Sequence, residues 1–280
     1  MLCPDCVKVR PDQTISWSFG LAFGLLLELS AHKEKSLNLQ SAMHFLYPPQ
    51  CLSCGEETSA DFALCAECWR EAAFINGLVC DVCGIPLPGE PLSEEAEEHP
   101  FCDDCLARPK PWDRGRAALL YQGTARRMVM GLKHRDRQEL ASPMAMWLKQ
   151  AGQGLFSSDT LVAPVPLHRH RFFTRRFNQS ALLAAQFAKL CNLSHCPDLL
   201  KRHKATRIQE SMTLPERYEN LSQAISVPSG HLAQISRRPI LLIDDVMTSG
   251  ATLSACAEAC KSADAAEVNV LVLARVARDT

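Results

Sequence analysis

The chain has 280 residues, 47% apolar and 22% charged, enough for one large globular domain or two modest ones with a sizeable core. Its net charge of −1 conceals an asymmetry: residues 43–110 hold 3 basic and 13 acidic side chains, and residues 111–280 hold 23 basic and 14 acidic. Such a split predicts two modules with different partners, the basic one suited to phosphates.

Fourteen cysteines are present, ten of them in five C-x-x-C pairs, a spacing that reads as metal binding in a reducing compartment. The apolar run Trp17–Leu29 contains Glu28 and lacks a basic n-region and a small-residue cleavage site, so it is neither a secretory signal nor long enough to span a bilayer. The expectation is a cytoplasmic protein without stable membrane insertion.

Residues 1–42 read as a poorly defined N-terminal extension, and Met43 is a natural start, as if the reading frame were over-extended. Cys3 and Cys6 are then a stray pair. Residues 43–111 form the second segment, rich in Cys and acid, with only short apolar runs. A segment of that size needs a structural metal as a staple.

Four pairs follow in order: Cys51/Cys54, Cys65/Cys68, Cys80/Cys83 and Cys102/Cys105. Gly55 and Gly84 follow two of them, as in zinc knuckles whose backbone N–H groups turn toward the sulfurs. Eight thiolates suit one or two tetrahedral Cys₄ zinc sites, closed and therefore structural. Spacing leaves open whether the pairing is sequential or crossed, and whether both sites fill. His99 is a substitute ligand or a surface residue, and 94-EEAEEH-99 is a solvated acidic stretch. Thiolate zinc sites add negative charge, so this module is a poor nucleic-acid reader and a better protein-docking element.

Residues 112–280 change character, with strands and helices alternating. Strands are expected at Ala117–Tyr121, Thr160–Val165, Ile240–Ile243 and Val268–Arg275. Helices are expected at Thr124–His134, Gln138–Gln150, Asn178–Leu190 and Ala251–Ala263. This order predicts an α/β parallel sheet with flanking helices. Cys191, Cys196, Cys256 and Cys260 read as buried thiols.

The densest chemistry lies in 240-ILLIDDVMTSGATL-253. Four apolar residues suit a central buried strand, and Asp244 and Asp245 follow at its carboxyl end, where α/β folds place ligands. Thr248, Ser249, Gly250, Ala251 and Thr252 then lead into a helix. Small residues and successive backbone N–H groups there make an anion site. Carboxylates beside a phosphate make sense if they bind hydroxyls, or a Mg²⁺ held by a polyphosphate.

An apolar strand, two acids and T-x-G-x-T resemble the signature of type I phosphoribosyltransferases, which bind 5-phosphoribosyl-1-pyrophosphate (PRPP). The resemblance implies that Asp244 and Asp245 face the ribose hydroxyls and that Thr248–Thr252 hold the 5′-phosphate.

After the strand at Thr160–Val165 comes 166-PLHRHRFFTRRFNQS-180, with Arg169, Arg171, Arg175 and Arg176, whose guanidinium forks suit pyrophosphate. VPLH followed by R-F-N-Q is similar to the ComF/GntX-like family pattern V-P-x-x-x…R-G-F-N-Q. Lys133 sits where that family has L-K-x, and 202-RHKATRIQESMTLPERYEN-220 matches its hood pattern. Arg176 replaces the family's Gly, which puts the approach to pyrophosphate in question.

The resemblance runs from about Leu46 to the C-terminus. It implies a double zinc ribbon preceding a type I phosphoribosyltransferase fold with a hood. It also implies Mg-dependent transfer from PRPP to an acceptor that no motif names, with Asp244, Asp245, Arg169 and Lys133 catalytic and Arg171 and Arg175 binding the pyrophosphate. The family is associated with natural transformation and DNA utilisation. The rival reading is therefore a non-catalytic protein of the same fold that binds PRPP, or single-stranded DNA through its basic groups.

Overall fold

Five parallel strands make the central sheet of the computed structural model, which describes residues 47–90, 99–134, 137–167, 177–203 and 224–277. Chain contacts group Gln50–Thr280 as one unit and Met1–Pro49 as another, and only 47–49 of the latter are described.

The sheet strands are β1 (Gly115–Leu120), β2 (Leu161–Pro164), β3 (Ser194–His195), β6 (Pro239–Met247) and β7 (Glu267–Arg275), in the spatial order β1-β7-β6-β2-β3. Two short strands, β4 (Lys201–Arg202) and β5 (Ile225–Ser226), pair antiparallel beside it. Helices α1 (Ala66–Glu71) and α2 (Asp103–Ala107) belong to the cysteine module. Helices α3 (Gly123–His134), α4 (Ala141–Ala151), α5 (Gln179–Cys191), α6 (Leu232–Ile235) and α7 (Ala251–Ser262) belong to the α/β part.

Side-chain alternation sorts the central strands into two cores, as a sheet covered on both faces requires. Ile240, Leu242, Val268, Val270 and Val272 join one cluster with Leu253, Cys256, Ala257 and Cys260 of α7. Leu241, Ile243, Leu271 and Leu273 join the other, with Leu132 of α3, Met144 and Leu148 of α4, and Leu183 and Phe187 of α5. The expected α/β parallel sheet is thus the observed one. Among the described residues no helix is long and apolar enough to cross a membrane.

The element bounds differ from expectation in instructive places. The strand expected to stop at Ile243 runs on to Met247, because its ladder with β7 continues through Asp244↔Val272 and Val246↔Ala274. The helix expected over Gln138–Gln150 begins as a 3₁₀ turn, Gln138–Leu140, before α4. Pro143 lies in the first turn of α4, where its missing N–H removes no intrahelical bond. The two-residue strands β3, β4 and β5 carry no periodic signal and went unanticipated.

The cysteine module closes the β1 edge of the sheet. Phe74 pairs antiparallel with Leu119, Ile75 N–H donates to Ala118 O at 3.0 Å, and Leu120 N–H donates to Ala73 O at 2.8 Å. Backbone groups that would template another chain are thereby satisfied. Most of the expected hood segment 202–220 lies outside the described residues, as do the stray pair Cys3/Cys6 and residues 94–98 of the acidic stretch.

Candidate functional site

The eight module cysteines gather as two sequential sets, Cys51/Cys54/Cys65/Cys68 and Cys80/Cys83/Cys102/Cys105, with the sulfurs of each set within 4.8 Å of one another. The pairing left open by spacing is therefore not crossed. Cys54 and Cys65 sulfurs are 3.7 Å apart, as are those of Cys83 and Cys102. Tetrahedral Zn–S bonds of ~2.3 Å separate neighbouring sulfurs by about 3.8 Å, so both sets fit zinc. Backbone N–H groups of Ser53 and Cys65 point at Cys51 Sγ, 3.5 and 3.3 Å away, as a knuckle demands. His99 is no substitute ligand; its Nδ1 lies 3.0 Å from Asp81 Oδ2.

Asp81, inside the second knuckle, fastens that ribbon to β1. Its carboxylate accepts from Arg114 Nε at 3.0 Å and from Arg116 Nη2 at 2.5 Å, while Gly115 N–H donates to its carbonyl at 2.8 Å. Burial pushes its carboxyl pKa up, but the two guanidinium groups outweigh burial and hold it below the usual range. Gly84, at φ +67, packs so tightly on β1 that a Cβ would lie 2.6 Å from Ala117 N.

The acidic pair stands at the carboxyl end of β6, the central strand. Asp244 Oδ1 accepts from Ser180 Oγ at 2.8 Å and from Asp245 N–H at 2.9 Å. Ser180 arrives there because Asn178 caps α5, its side chain accepting from Ser180 N–H at 3.1 Å. Desolvation, and then the neighbouring charge of Asp245, push the Asp244 pKa up to about 7. Lys133, on α3, reaches across to Asp245, with Nζ 3.0 Å from Oδ1. The structure thus unites Lys133, Asp244 and Asp245, three sites singled out from sequence.

The loop Thr248–Gly250 turns the chain from β6 into α7. Gly250 adopts φ +79, a left-handed conformation that glycine supplies without strain. Gly250 at the N-cap has no side chain to cap α7, and Ser249 Oγ accepts only a long bond from Ala251 N–H at 3.4 Å, which leaves the next first-turn amides available to an anion. Asp244 and the residues Val246–Leu253 line a cleft of ≈ 30 Å³. A more voluminous groove of ≈ 750 Å³, lined by Trp69, Phe74, Arg116 and Trp147 among others, lies apart from it at the module–sheet edge.

Three residues that brace this loop were missed in the sequence. Arg275, buried at the end of β7, donates from Nη1 to Thr248 O at 2.6 Å and to Met247 O at 3.2 Å. Trp112 donates from Nε1 to Val82 O at 2.7 Å and lays its ring against Gly250. Lys110 Nζ lies 3.5 Å from Ser249 O. Arg275 lies at the end of an apolar strand and Trp112 at a domain join, and neither position carries a motif.

Cys256 and Cys260 are fully buried in the core, and burial pushes Cys260 up to about 12, so the thiol reading stands for both. Arg169, Arg171, Arg175 and Arg176 lie outside the described residues.

A double zinc ribbon domain model matches residues 42–106. The chain is 28% identical over 220 residues to the DNA utilization protein YhgH of Escherichia coli O157:H7, covering 76% of this chain and 91% of that one. It is 25% identical over 232 residues to competence protein F of Haemophilus influenzae, covering 81% and 96% respectively. Among solved structures, an allosteric regulatory enzyme of purine biosynthesis aligns with 51% of this chain at 16% identity and a TM-score of 0.35; the match spans only 30% of that enzyme. The sequence likenesses to YhgH and competence protein F extend well beyond the ribbon into the α/β domain, in line with the ComF/GntX-like resemblance of the sequence.

Proposed function

We propose that the chain binds PRPP with Mg²⁺ at the end of β6 and transfers its phosphoribosyl group to an acceptor encountered in DNA uptake or utilisation. One observation carries this reading. Asp244 and Asp245 stand at the carboxyl end of the central strand, a short loop before a helix N-terminus whose N-cap residue, Gly250, carries no side chain. A ligand with hydroxyls in its middle and a phosphate at one end matches that order of groups.

In this reading Asp244 and Asp245 hold the ribose 2′- and 3′-hydroxyls and favour positive charge on the ring. The amides and hydroxyls of Thr248–Thr252 hold the 5′-phosphate. The bond from C1′ to pyrophosphate breaks with its electron pair leaving on oxygen, and the acceptor forms the new bond to C1′ and gives up a proton. Lys133, with Arg169, Arg171 and Arg175, stabilises the departing charge. The acidic pair together with the polyphosphate suits Mg²⁺, which supplies further charge neutralisation when bound. A reducing cytoplasm suits a protein that needs eight free thiolates for zinc.

Calorimetric titration of PRPP with Mg²⁺ into the zinc-loaded protein tests the site, with Asp244→Asn/Asp245→Asn as control. Binding lost in the double variant supports it; no binding by folded wild type overturns it. Pyrophosphate release then tests catalysis, with Arg176 the position where this chain departs from the family's Gly.

A second reading, a non-catalytic protein that binds PRPP or single-stranded DNA, is favoured by the surplus of 23 basic over 14 acidic residues in 111–280. DNA binding that falls steeply with salt, without pyrophosphate release, would select it.

A further inference from the structure

Away from the loop and the ribbons, a third set of metal-ligating side chains comes together. Cys196, Asp198 and His231 each place a ligand atom within 4.8 Å of the other two. Cys196 Sγ is 3.7 Å from His231 Nδ1 and 3.7 Å from Asp198 Oδ1, and His231 Nε2 is 3.3 Å from Asp198 Oδ2. We propose that these three residues bind a zinc ion at a site distinct from the two Cys₄ ribbons.

The donor set argues for zinc. Thiolate, imidazole and carboxylate are its usual ligands, whereas Mg²⁺ and Ca²⁺ favour oxygen alone. Bonds of ~2.3 Å to sulfur and ~2.0 Å to nitrogen or oxygen, at tetrahedral angles, separate neighbouring donors by roughly 3.3–3.6 Å. With Nδ1 as the ligating nitrogen, Cys196 Sγ already stands 3.7 Å from it and 3.7 Å from Asp198 Oδ1, and one donor atom of each residue lies within 4.8 Å of the others. The imidazole turns one nitrogen to Cys196 and the other to Asp198, so one nitrogen takes the ion and the Asp198 side chain, 63% exposed, swings to meet it.

The backbone presets the arrangement. Cys196 N–H donates to Val162 O at 3.0 Å, which anchors the cysteine beside β2, and its side chain is buried. His231 ends a 3₁₀ turn, Ser229–His231, with its N–H donating to Pro228 O at 2.9 Å.

Three protein ligands leave a fourth position open to water or to an anionic ligand, unlike a closed Cys₄ site. Cys196 and Asp198 lie just before β4 and His231 just after β5, so the ion ties the two ends of the segment containing that strand pair.

The test is zinc stoichiometry of the full chain by plasma mass spectrometry after equilibration with micromolar Zn²⁺ and gel filtration. Three zinc ions per wild-type chain are expected, and two for Asp198→Ala/His231→Ala. Because Asp198 is largely exposed, Asp198→Ala alone leaves the fold intact and should weaken the third zinc about 10–100-fold. Titrated Co²⁺ should add, after the ribbons fill, an absorption step with the charge transfer of one thiolate rather than four. A wild type that never exceeds two zinc ions overturns the site, as does a third ion retained at full affinity by Asp198→Ala/His231→Ala.

Discussion

Trp112 lies so close to Gly250 that a Cβ on the glycine would come within 2.9 Å of the indole ring. The same indole donates to Val82 O in the second knuckle, so one side chain joins the zinc ribbon to the candidate phosphate loop. Trp112→Ala should therefore cost about 3–5 kcal/mol of stability, as truncation of a buried aromatic does, measured by urea unfolding. Gly250→Ala should cost less globally, ~1 kcal/mol or more from its positive φ, yet weaken PRPP binding more than tenfold by displacing the loop.

Zinc removal should reach beyond the ribbons. Because Asp81, Gly84 and Trp112 dock the second knuckle on β1 and the loop, stripping zinc with a strong chelator should expose β1 as well. Hydrogen exchange at Ala117–Leu120 should accelerate together with loss of PRPP binding. Unchanged protection at β1 would show that the sheet holds without its zinc-bound edge.

Stability should carry an acid-side signature from Asp81. Its pKa is depressed in the folded protein, so its contribution is present above the unfolded carboxyl pKa of about 4 and lost as pH falls below that. Asp81→Asn should destabilise the protein by roughly 2–4 kcal/mol at neutral pH, because Arg114 and Arg116 lose their buried partner. It should also flatten the fall in urea midpoint below pH 4.

Asp244 should act with the opposite sign. Its pKa is raised to about 7 in the folded state, so the stability it lends is full below about pH 4 and is lost as pH climbs through 7. Asp244→Asn should abolish that decline, read as a urea midpoint that no longer drops between pH 5 and 8. Mg²⁺-dependent PRPP binding favours the ionised acid, so wild-type affinity should rise over the same interval.

The local features were legible in the sequence because their parts are neighbours in the chain. C-x-x-C pairs carry their own ligand geometry, and a buried strand, two acids, small residues and a helix follow one another within Ile240–Leu253. Alternating strand and helix patterns likewise gave the parallel sheet, because burial on both faces demands continuous apolar strands.

Tertiary structure alone decided which distant groups meet. Lys133 reaches Asp245 only because α3 and β6 share one core, through Leu132, Leu241 and Ile243, and Ser180 reaches Asp244 across 64 residues of chain. Arg275 grips Thr248 O, Asp81 anchors a ribbon to Arg114 and Arg116, and Cys196 meets His231 across 35 residues. None of these has a spacing rule, because each contact depends on how packed layers bring side chains from separate elements together. Sequence by itself determined the cysteine ligands and the candidate phosphate loop; packing decided how cysteines are grouped, what braces the loop, and where Cys196 finds its partners.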